Sequence, residues 1–473
     1  MDMLVGRKEE VSLLQKITAS EVPEFIAVYG RRRIGKTFLI RQFFNNKFTF
    51  YMTGAANVNM QQQLYNFQIA LKEYSGKPTP ALTSWFDAFL ALRTLIESSK
   101  AKQKIVFIDE LPWLDTPRSN FVPALEYFWN SFGAHHKGLK LIVSGSAASW
   151  MLNKLIRNTG GLHNRVTRRI PLSPFTLQET EQFLNARGVM LDRYQMIQLY
   201  AVMGGVPYYL NEIEAGKSAA QIIDKLCFSP SGLLRLEYDQ LYTSIFTKAD
   251  HHLAIIEALS TKAKGLSREE VLQITGLPNG GKFTNTLAEL EASGFIKRYT
   301  PFQKLYRGSL YQLTDPYSLF YHKFIKGSKA TGMNTWINKL ESSSYRAWSG
   351  YAFEYICLSH IPQIKKALGI EGVYTEESAW TGSTDEGGAQ IDLLIDRKDG
   401  IINVCEAKYA SGPFTITKDY AEKLQHKIHA FKSDSKTRKS VFLVMITTFG
   451  VKENQYALGL VQNSLTLEDL FGG

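Results

Sequence analysis

Ala27-Val-Tyr-Gly-Arg-Arg-Arg-Ile-Gly-Lys-Thr-Phe-Leu-Ile40 decides how the N-terminal half of the chain reads. An apolar run, Phe25 to Gly30, passes through a glycine-bounded loop into an amphipathic helix. The loop Gly30, Arg31, Arg32, Arg33, Ile34, Gly35, Lys36, Thr37 has the spacing GxxxxGK[ST], and a strand before it with a helix after it gives that motif its meaning. Backbone N–H groups at a helix N-terminus wrap phosphate oxygens, Lys36 reaches the β- and γ-phosphates, and the Thr37 hydroxyl ligates Mg²⁺. ATP and Mg²⁺ are therefore the expected cofactors.

Two further apolar runs extend the pattern. Lys104 to Leu111 (KIVFIDEL) ends in two acids: Asp109 is expected to hold Mg²⁺ and Glu110 to orient the attacking water. Lys140 to Ser146 (KLIVSGS) contains Ser144, positioned either to sense the γ-phosphate or simply to form a turn. Downstream, Arg165, Arg168 and Arg169 are candidates for an arginine finger on transition-state charge, or else belong to a solvated basic strand. Short β-branched runs alternating with amphipathic stretches predict an α/β fold with a parallel sheet over residues 1–175.

Beyond residue 175 the strand signals stop. Thr176 to Gly188 and Tyr194 to Gly205 have helical periodicity, which predicts a helical lid over 176–245. Three short helical patterns and two strand patterns over 246–328 have the order of a winged helix-turn-helix. Its recognition helix is entered through Asn279-Gly280-Gly281, with Lys282, Thr284 and Asn285 near its start. Asp250 to Lys329 holds eleven Lys and Arg against seven Asp and Glu, with Lys297, Arg298, Lys304 and Arg307 on or beside the wing. That excess favours DNA phosphates; winged helices also serve as protein contacts or ATPase lids.

Residues 329–473 read as a mixed α/β domain. Gln390 to Tyr409 (QIDLLIDRKDGIINVCEAKY) puts Asp392 on one strand and Glu406 and Lys408 two apart on the next, so Glu406 and Lys408 share a side. A three-residue loop, Lys398-Asp399-Gly400 with Gly400 left-handed, sets Asp392 opposite Glu406. A two-residue Asp-Gly turn sets Leu393 there and separates the acids. Two carboxylates on one face form a site for Mg²⁺, with Lys408 orienting water at a phosphodiester. Glu354, on an upstream helix, is the candidate third acid. Downstream, Lys423 and Lys427 with Gln425 between them form either a phosphate-tracking face or a surface lysine stripe.

The first 240 or so residues resemble the AAA+/STAND group of P-loop ATPases, and most closely its archaeal-type family. The resemblance rests on Gly6, Arg7 and Glu10 of LVGRKEE, on GRRRIGKT, VFIDE and SGS, and on Gly204, Gly205 and Pro207 of MGGVPYYL. It implies that Arg7 lies near the nucleotide base and that Pro207 belongs to a lid element touching nucleotide. The pattern Asp392, Glu406, Lys408 after a Glu-bearing helix resembles the PD-(D/E)XK nuclease core, with Ile391 where that core commonly has Pro. The archaeal-type family often carries such a domain at its C-terminus.

The 473 residues carry 55 Lys and Arg against 44 Asp and Glu, a formal charge of +11, which suits a polyanionic partner. DNA is the expected one, with a homo-oligomer or protein partner possible. The separated cysteines Cys227, Cys357 and Cys405 form neither a disulfide framework nor a zinc site. Without an apolar leader or a run of about 20 apolar residues, a cytoplasmic location and no membrane are expected. The composite expectation is an ATPase whose nucleotide state controls a Mg²⁺-dependent nuclease-like domain, the alternative being an ATP-driven switch with a non-catalytic C-terminal domain.

Overall fold

The computed structural model describes residues 4–157, 160–162, 164–246, 248–302, 309–328, 334–384 and 387–472. Lys304 and Arg307 of the expected wing lie outside the described residues. The chain divides into two compact units. Met1–Pro174, with Thr243–Thr247 and Ala288–Gly294, forms one; Phe175–Tyr242, Lys248–Leu287 and Phe295–Gly473 form the other. The three segments expected beyond residue 175 thus fall, apart from those short stretches, within one unit.

The first unit contains strands β1 (Glu24–Tyr29), β2 (Phe50–Thr53), β3 (Lys104–Asp109), β4 (Leu139–Gly145) and β5 (Arg168–Pro171). They form a parallel sheet of order β2-β3-β4-β1-β5. Its helices are α1 (Lys8–Ala19), α2 (Lys36–Phe43), α3 (Met60–Ser75), α4 (Trp85–Ser98), α5 (Phe121–Ser131) and the short α6 (Ala148–Trp150). The near-continuous apolar character of β1 and β4 follows from burial on both faces. Phe25 and Ala27 join a core with Phe67, Phe89 and Phe121 of α3, α4 and α5. Ile26 and Val28 join another with Leu14 and Leu39 of α1 and α2. Because β4 lies between β1 and β3, the loop after β1, the acids ending β3 and the serines ending β4 meet at one edge of the sheet.

The second unit opens with helices alone: α7 (Leu177–Ala186), α8 (Arg193–Met203), α9 (Pro207–Leu210), α10 (Ala219–Ile223) and α11 (Leu233–Thr243). Next come α12 (Asp250–Ser260), β6 (Leu266–Ser267), α13 (Arg268–Thr275), α14 (Gly281–Ala292), β7 (Ile296–Tyr299) and β8 (Leu310–Leu313). These strands form an antiparallel sheet of order β6-β8-β7. The helix α15 (Pro316–Phe320) leads on to α16 (Ser343–Ser359), α17 (Ile361–Ala367), β9 (Thr375–Thr384), β10 (Gly387–Arg397), β11 (Ile401–Lys408), α18 (Lys418–Ser435), β12 (Ser440–Thr447), α19 (Gln455–Leu458), β13 (Val461–Leu465) and α20 (Leu467–Leu470). The sheet order is β13-β12-β11-β10-β9. β9, β10 and β11 pair antiparallel, while β11, β12 and β13 pair parallel.

No helix among the described residues is long and apolar enough to cross a membrane. The three cysteines are buried thiols.

One backbone approach in the second unit admits only glycine. A Cβ on Gly205 would lie 1.8 Å from the Phe175 carbonyl oxygen, whose own N–H donates to the Gly205 carbonyl at 2.6 Å. Gly350, inside α16, has open space around that position. Gly205→Ala is expected to destabilise by about 1–3 kcal/mol, and Gly350→Ala to stabilise by roughly 0.5–1 kcal/mol through helix propensity. Opposite shifts of the unfolding transition check this.

Candidate functional sites

The phosphate loop leaves β1 through backbone conformations that favour glycine, with φ of 148° at Gly30 and 89° at Gly35, and 72° at Arg33. A Cβ on Gly30 would meet the Leu172 carbonyl oxygen at 2.2 Å. Lys36 opens α2, and its Nζ donates to Gly30 O at 3.0 Å, Arg31 O at 2.9 Å and Ser146 Oγ at 2.9 Å. Burial pulls the Lys36 pKa down to about 8, against the upward pull of Glu110 and Asp109; Arg32 and Arg31 add to the fall. Arg31 is buried, Arg33 half-buried and Arg32 exposed. Arg7 is buried beside the loop and donates from Nη2 to Ile34 O at 3.1 Å. The residue pattern that suggested a nucleotide-proximal arginine thus corresponds to a direct bond onto the phosphate loop.

Thr37 Oγ1 donates to Asp109 Oδ2 at 2.6 Å, and Ser144 Oγ donates to Asp109 Oδ1. Burial raises the Asp109 pKa despite these two bonds. A threonine hydroxyl and a carboxylate converging at the start of α2 are hard oxygen donors of the kind magnesium takes, so the residues fit the ion.

Ser144, the candidate γ-phosphate sensor, is a partner of the two acids that end β3. It is wholly buried, with its Oγ on Asp109 and accepting from the Glu110 N–H at 3.4 Å. The serine that meets the other site groups is Ser146. It accepts from Lys36, its N–H donates to Glu110 Oε2 at 3.0 Å, and its Oγ donates to Glu110 Oε1 at 2.5 Å. Glu110 itself adopts a left-handed backbone, φ 48°. The sequence offered a signal for Ser146, the second serine of Ser-Gly-Ser, without a means of choosing between the two.

The three candidate finger arginines are exposed. Arg168 pairs with Glu24 at 3.1 Å. Arg169, together with Arg157, acts electrostatically on Tyr29, the residue preceding Gly30, whose pKa burial nevertheless raises. Arg165 lies in the segment before β5 with its side chain exposed. Pro207 begins α9 just past Gly204 and Gly205, in the second unit.

The acidic hairpin in the second unit adopts the three-residue turn. Gly400 has φ 87°, and the pairs Asp396↔Ile402 through Leu393↔Cys405 set the register. Asp392 and Glu406 are the next residues beyond the last pair, and β10 shifts register against β9 between Ile391 and Leu394. Lys408 Nζ lies 2.9 Å from Glu406 Oε1. Two groups unassigned by the sequence reading complete the surroundings: Tyr420 OH donates to Glu406 Oε1 at 2.9 Å, and Lys427 Nζ to Oε2 at 2.6 Å. Both come from α18, so Lys427 belongs to the site and not to an exposed stripe with Lys423. Burial would raise the Glu406 pKa, but Lys427 and Lys408 outweigh it and the pKa falls.

Glu354, on α16, is raised to about 7, first by burial, then by Asp392 and Glu406, with Lys408 and Lys264 opposing. Asp392 and Glu406 thus both act electrostatically on Glu354. Asp392 Oδ1 accepts from Gln390 Nε2 at 2.7 Å, and Gln390 Oε1 accepts from Lys264 of the α12–β6 connection. Tyr299 of β7 donates to the Lys264 carbonyl, its pKa pushed up to about 12 by burial and by Asp392. No group of three or more His, Cys, Asp or Glu among the described residues has the arrangement of a metal site.

At the start of α14, Arg268 Nη2 donates to Asn279 Oδ1 at 2.9 Å and Thr284 Oγ1 at 3.1 Å, with its guanidinium 4.7 Å from the Phe283 ring centroid. These contacts fix the Asn-Gly-Gly entry to that helix.

Residues 4–213 match a family described as an ATPase domain predominantly from Archaea. Over 400 residues, 83% of this chain and 84% of the relative, the sequence is 25% identical to an uncharacterized protein of Methanocaldococcus jannaschii. A stretch of 45 residues, 10% of this chain and 76% of the relative, is 47% identical to an uncharacterized ATP-binding protein of the same organism. Among solved structures, a Walker-type ATPase of Pyrococcus abyssi is similar in fold, with TM-score 0.50 at 15% identity, covering 67% of this chain and 96% of that one. The phosphate loop and the match over residues 4–213 together support an ATPase domain of archaeal type in the N-terminal region.

The lowered Lys36 pKa has a direct consequence for ATP. Between about pH 8 and 10.5 the unfolded chain holds the Lys36 proton more tightly than the folded one, so the lysine's contribution to stability rises with pH across that window. Phosphate binding restores the charge, so ATP is expected to bind with proton uptake and to weaken as pH rises above about 8. Calorimetry in buffers of different ionisation enthalpy checks the uptake, and Lys36→Met is expected to abolish it.

Proposed function

We propose that the chain is an ATP-hydrolysing protein that acts on DNA, with a winged helix at 246–328 and a PD-(D/E)XK nuclease-like domain at 329–473. The helical segment 176–245 serves as the ATPase lid. The nucleotide state controls DNA engagement or cleavage at the acidic hairpin.

In the ATPase domain, Lys36 carries phosphate charge and Thr37 with Asp109 would hold Mg²⁺, which supplies neutralisation of the β- and γ-phosphates when bound. Glu110 orients the lytic water, and Ser146 holds both Glu110 and Lys36 in register. Replacing Glu110 by Gln is expected to retain ATP binding and to lower phosphate release by about 10²-fold or more. Equal turnover by E110Q and wild type would remove Glu110 from that role.

The nuclease reading is supported by one observation: the pairing of β10 with β11 runs up to Leu393↔Cys405, beside Asp392 and Glu406, and Lys408 Nζ lies 2.9 Å from Glu406. Asp392 and Glu406 are suited to a divalent cation, with Glu354 as a third oxygen donor, and Lys408 is suited to orient water toward a phosphodiester. The hydrogen-bonded chain Lys264–Gln390–Asp392 supports delivery of DNA from the winged helix to this hairpin. Lys282, Thr284 and Asn285 are the groups for base edges, and Lys297 and Arg298 for phosphates.

The alternative, an ATP-driven switch whose last domain is non-catalytic, is favoured by the two ammonium groups that already neutralise Glu406. Plasmid cleavage with Mg²⁺ or Mn²⁺ distinguishes them. Wild type is expected to nick DNA, Glu406→Ala and Lys408→Ala to lose nicking, and Lys36→Ala to lose its dependence on ATP. DNA binding without nicking by any of these proteins would favour the switch.

A further inference from the structure

We propose that the edge of the ATPase sheet carries a DNA contact of its own: Arg157 and Arg169 hold phosphodiester oxygens of the backbone, apart from any contact made by the winged helix. This inference rests on the reading that the chain acts on DNA and adds a second surface to it.

Charge is unevenly distributed along the chain. From Tyr127 to Gln178 there is no Asp or Glu, whereas 44 acids in 473 residues would place about five in a stretch of that length. Burial accounts for part of this, since β4 is buried throughout. It does not account for Met151 to Gln178, where Lys154, Arg157, Arg165, Arg168 and Arg169 are all exposed. A soluble surface ordinarily intersperses the two signs.

Within that stretch, the fold separates one committed arginine from two that converge. β5 is the edge strand of its sheet, and its register sets Arg168 beside Ile26 and Arg169 beside Ala27, on opposite sides of the strand. Arg168 bonds Glu24 at 3.1 Å on its side. Arg169 shares the other side with Ala27 and Tyr29, which pack on the core that includes Leu155 and Ile156. Arg157 directly follows those two residues, at the end of the helical turn Met151–Ile156. The two guanidinium groups therefore approach Tyr29 from different elements: burial raises the Tyr29 pKa, and both arginines oppose the rise. Neither side chain makes a hydrogen bond or ion pair among the described residues.

Two like charges gathered beside one tyrosine repel each other, and an anion between them relieves the repulsion. An exposed sheet edge lacks the concave walls that hold a small anion, but it suits an extended one. Duplex DNA carries a charge about every 1.7 Å of its axis, and the arginine fork matches phosphate oxygens. With no carboxylate in the stretch, nothing local competes for the two groups.

Binding of a short duplex to the full chain without nucleotide, measured by fluorescence anisotropy from about 50 to 200 mM salt, tests this. The double variant Arg157→Gln/Arg169→Gln is expected to bind about tenfold more weakly than wild type and to lower the slope of log affinity against log salt by about two. Both positions are exposed, so its unfolding transition is expected to stay in place. Arg157→Lys/Arg169→Lys keeps both charges and is expected to keep the wild-type slope. Affinity and slope of R157Q/R169Q equal to wild type would overturn the inference while leaving the DNA reading intact. The same equality accompanied by lost ATP turnover would overturn it in favour of an arginine finger. Absence of duplex binding by wild type at every salt concentration would overturn the DNA reading itself and this inference with it.

Discussion

A carboxylate taken out of water must be matched by donors or by positive charge, and both candidate sites are built around one. Asp109 is matched by hydroxyls, from Thr37 and Ser144, and burial still raises its pKa. Glu406 is matched by two ammonium groups and a phenol, and its pKa falls. Hydroxyls orient the charge of Asp109 without cancelling it, leaving that site electrostatically suited to gain a cation. At Glu406 the charge is already matched by Lys408 and Lys427. Two acidic sites in one chain therefore pose different binding problems.

Much of this was legible because the deciding features are local. The spacing from Gly30 to Thr37 and the adjacent strand and helix specify the phosphate loop. The hairpin was legible as far as its turn: a side-chain period of two makes turn length choose the facing pair, the sequence left two lengths open, and Gly400 in the left-handed region selects the longer one. The edge strands were not legible. β9 carries Thr375, Glu376, Glu377 and Ser378 in sequence and β13 carries Gln462, Asn463 and Ser464, so neither has the apolar run that marks a strand. Their pairing comes from β10 and β12, which is a tertiary effect on a weak local preference.

The missed site residues share a physical reason. Ser146 and Ser144 are chemically identical, and only the turn after β4 separates one bonded to Asp109 from one between Lys36 and Glu110. Lys427 looks like any lysine on an amphipathic helix until the carboxylate it meets is fixed by a strand 21 residues earlier in the chain. Sequence spacing gives the face of a helix but not what that face packs against.

The connection between the three-helix segment and the acidic hairpin depends on more than the polar chain through Lys264. Lys264 is exposed, and a bond made by an exposed lysine adds at most about 1 kcal/mol. The segment after β7 makes a firmer attachment. Phe302 donates its N–H to the Ala379 carbonyl of β9 at 2.7 Å, and its ring lies 5.3 Å from that of Phe431 on α18. Phe302 thereby packs on the apolar core beneath the hairpin, which includes Ile391 and Val404. α18 is also the helix that carries Tyr420 and Lys427. A group held at Lys282 or Arg298 is thus set in position relative to Glu406 by backbone bonding and ring packing, with the Lys264 chain adding charge near Asp392 and Glu354. Such an attachment fixes geometry.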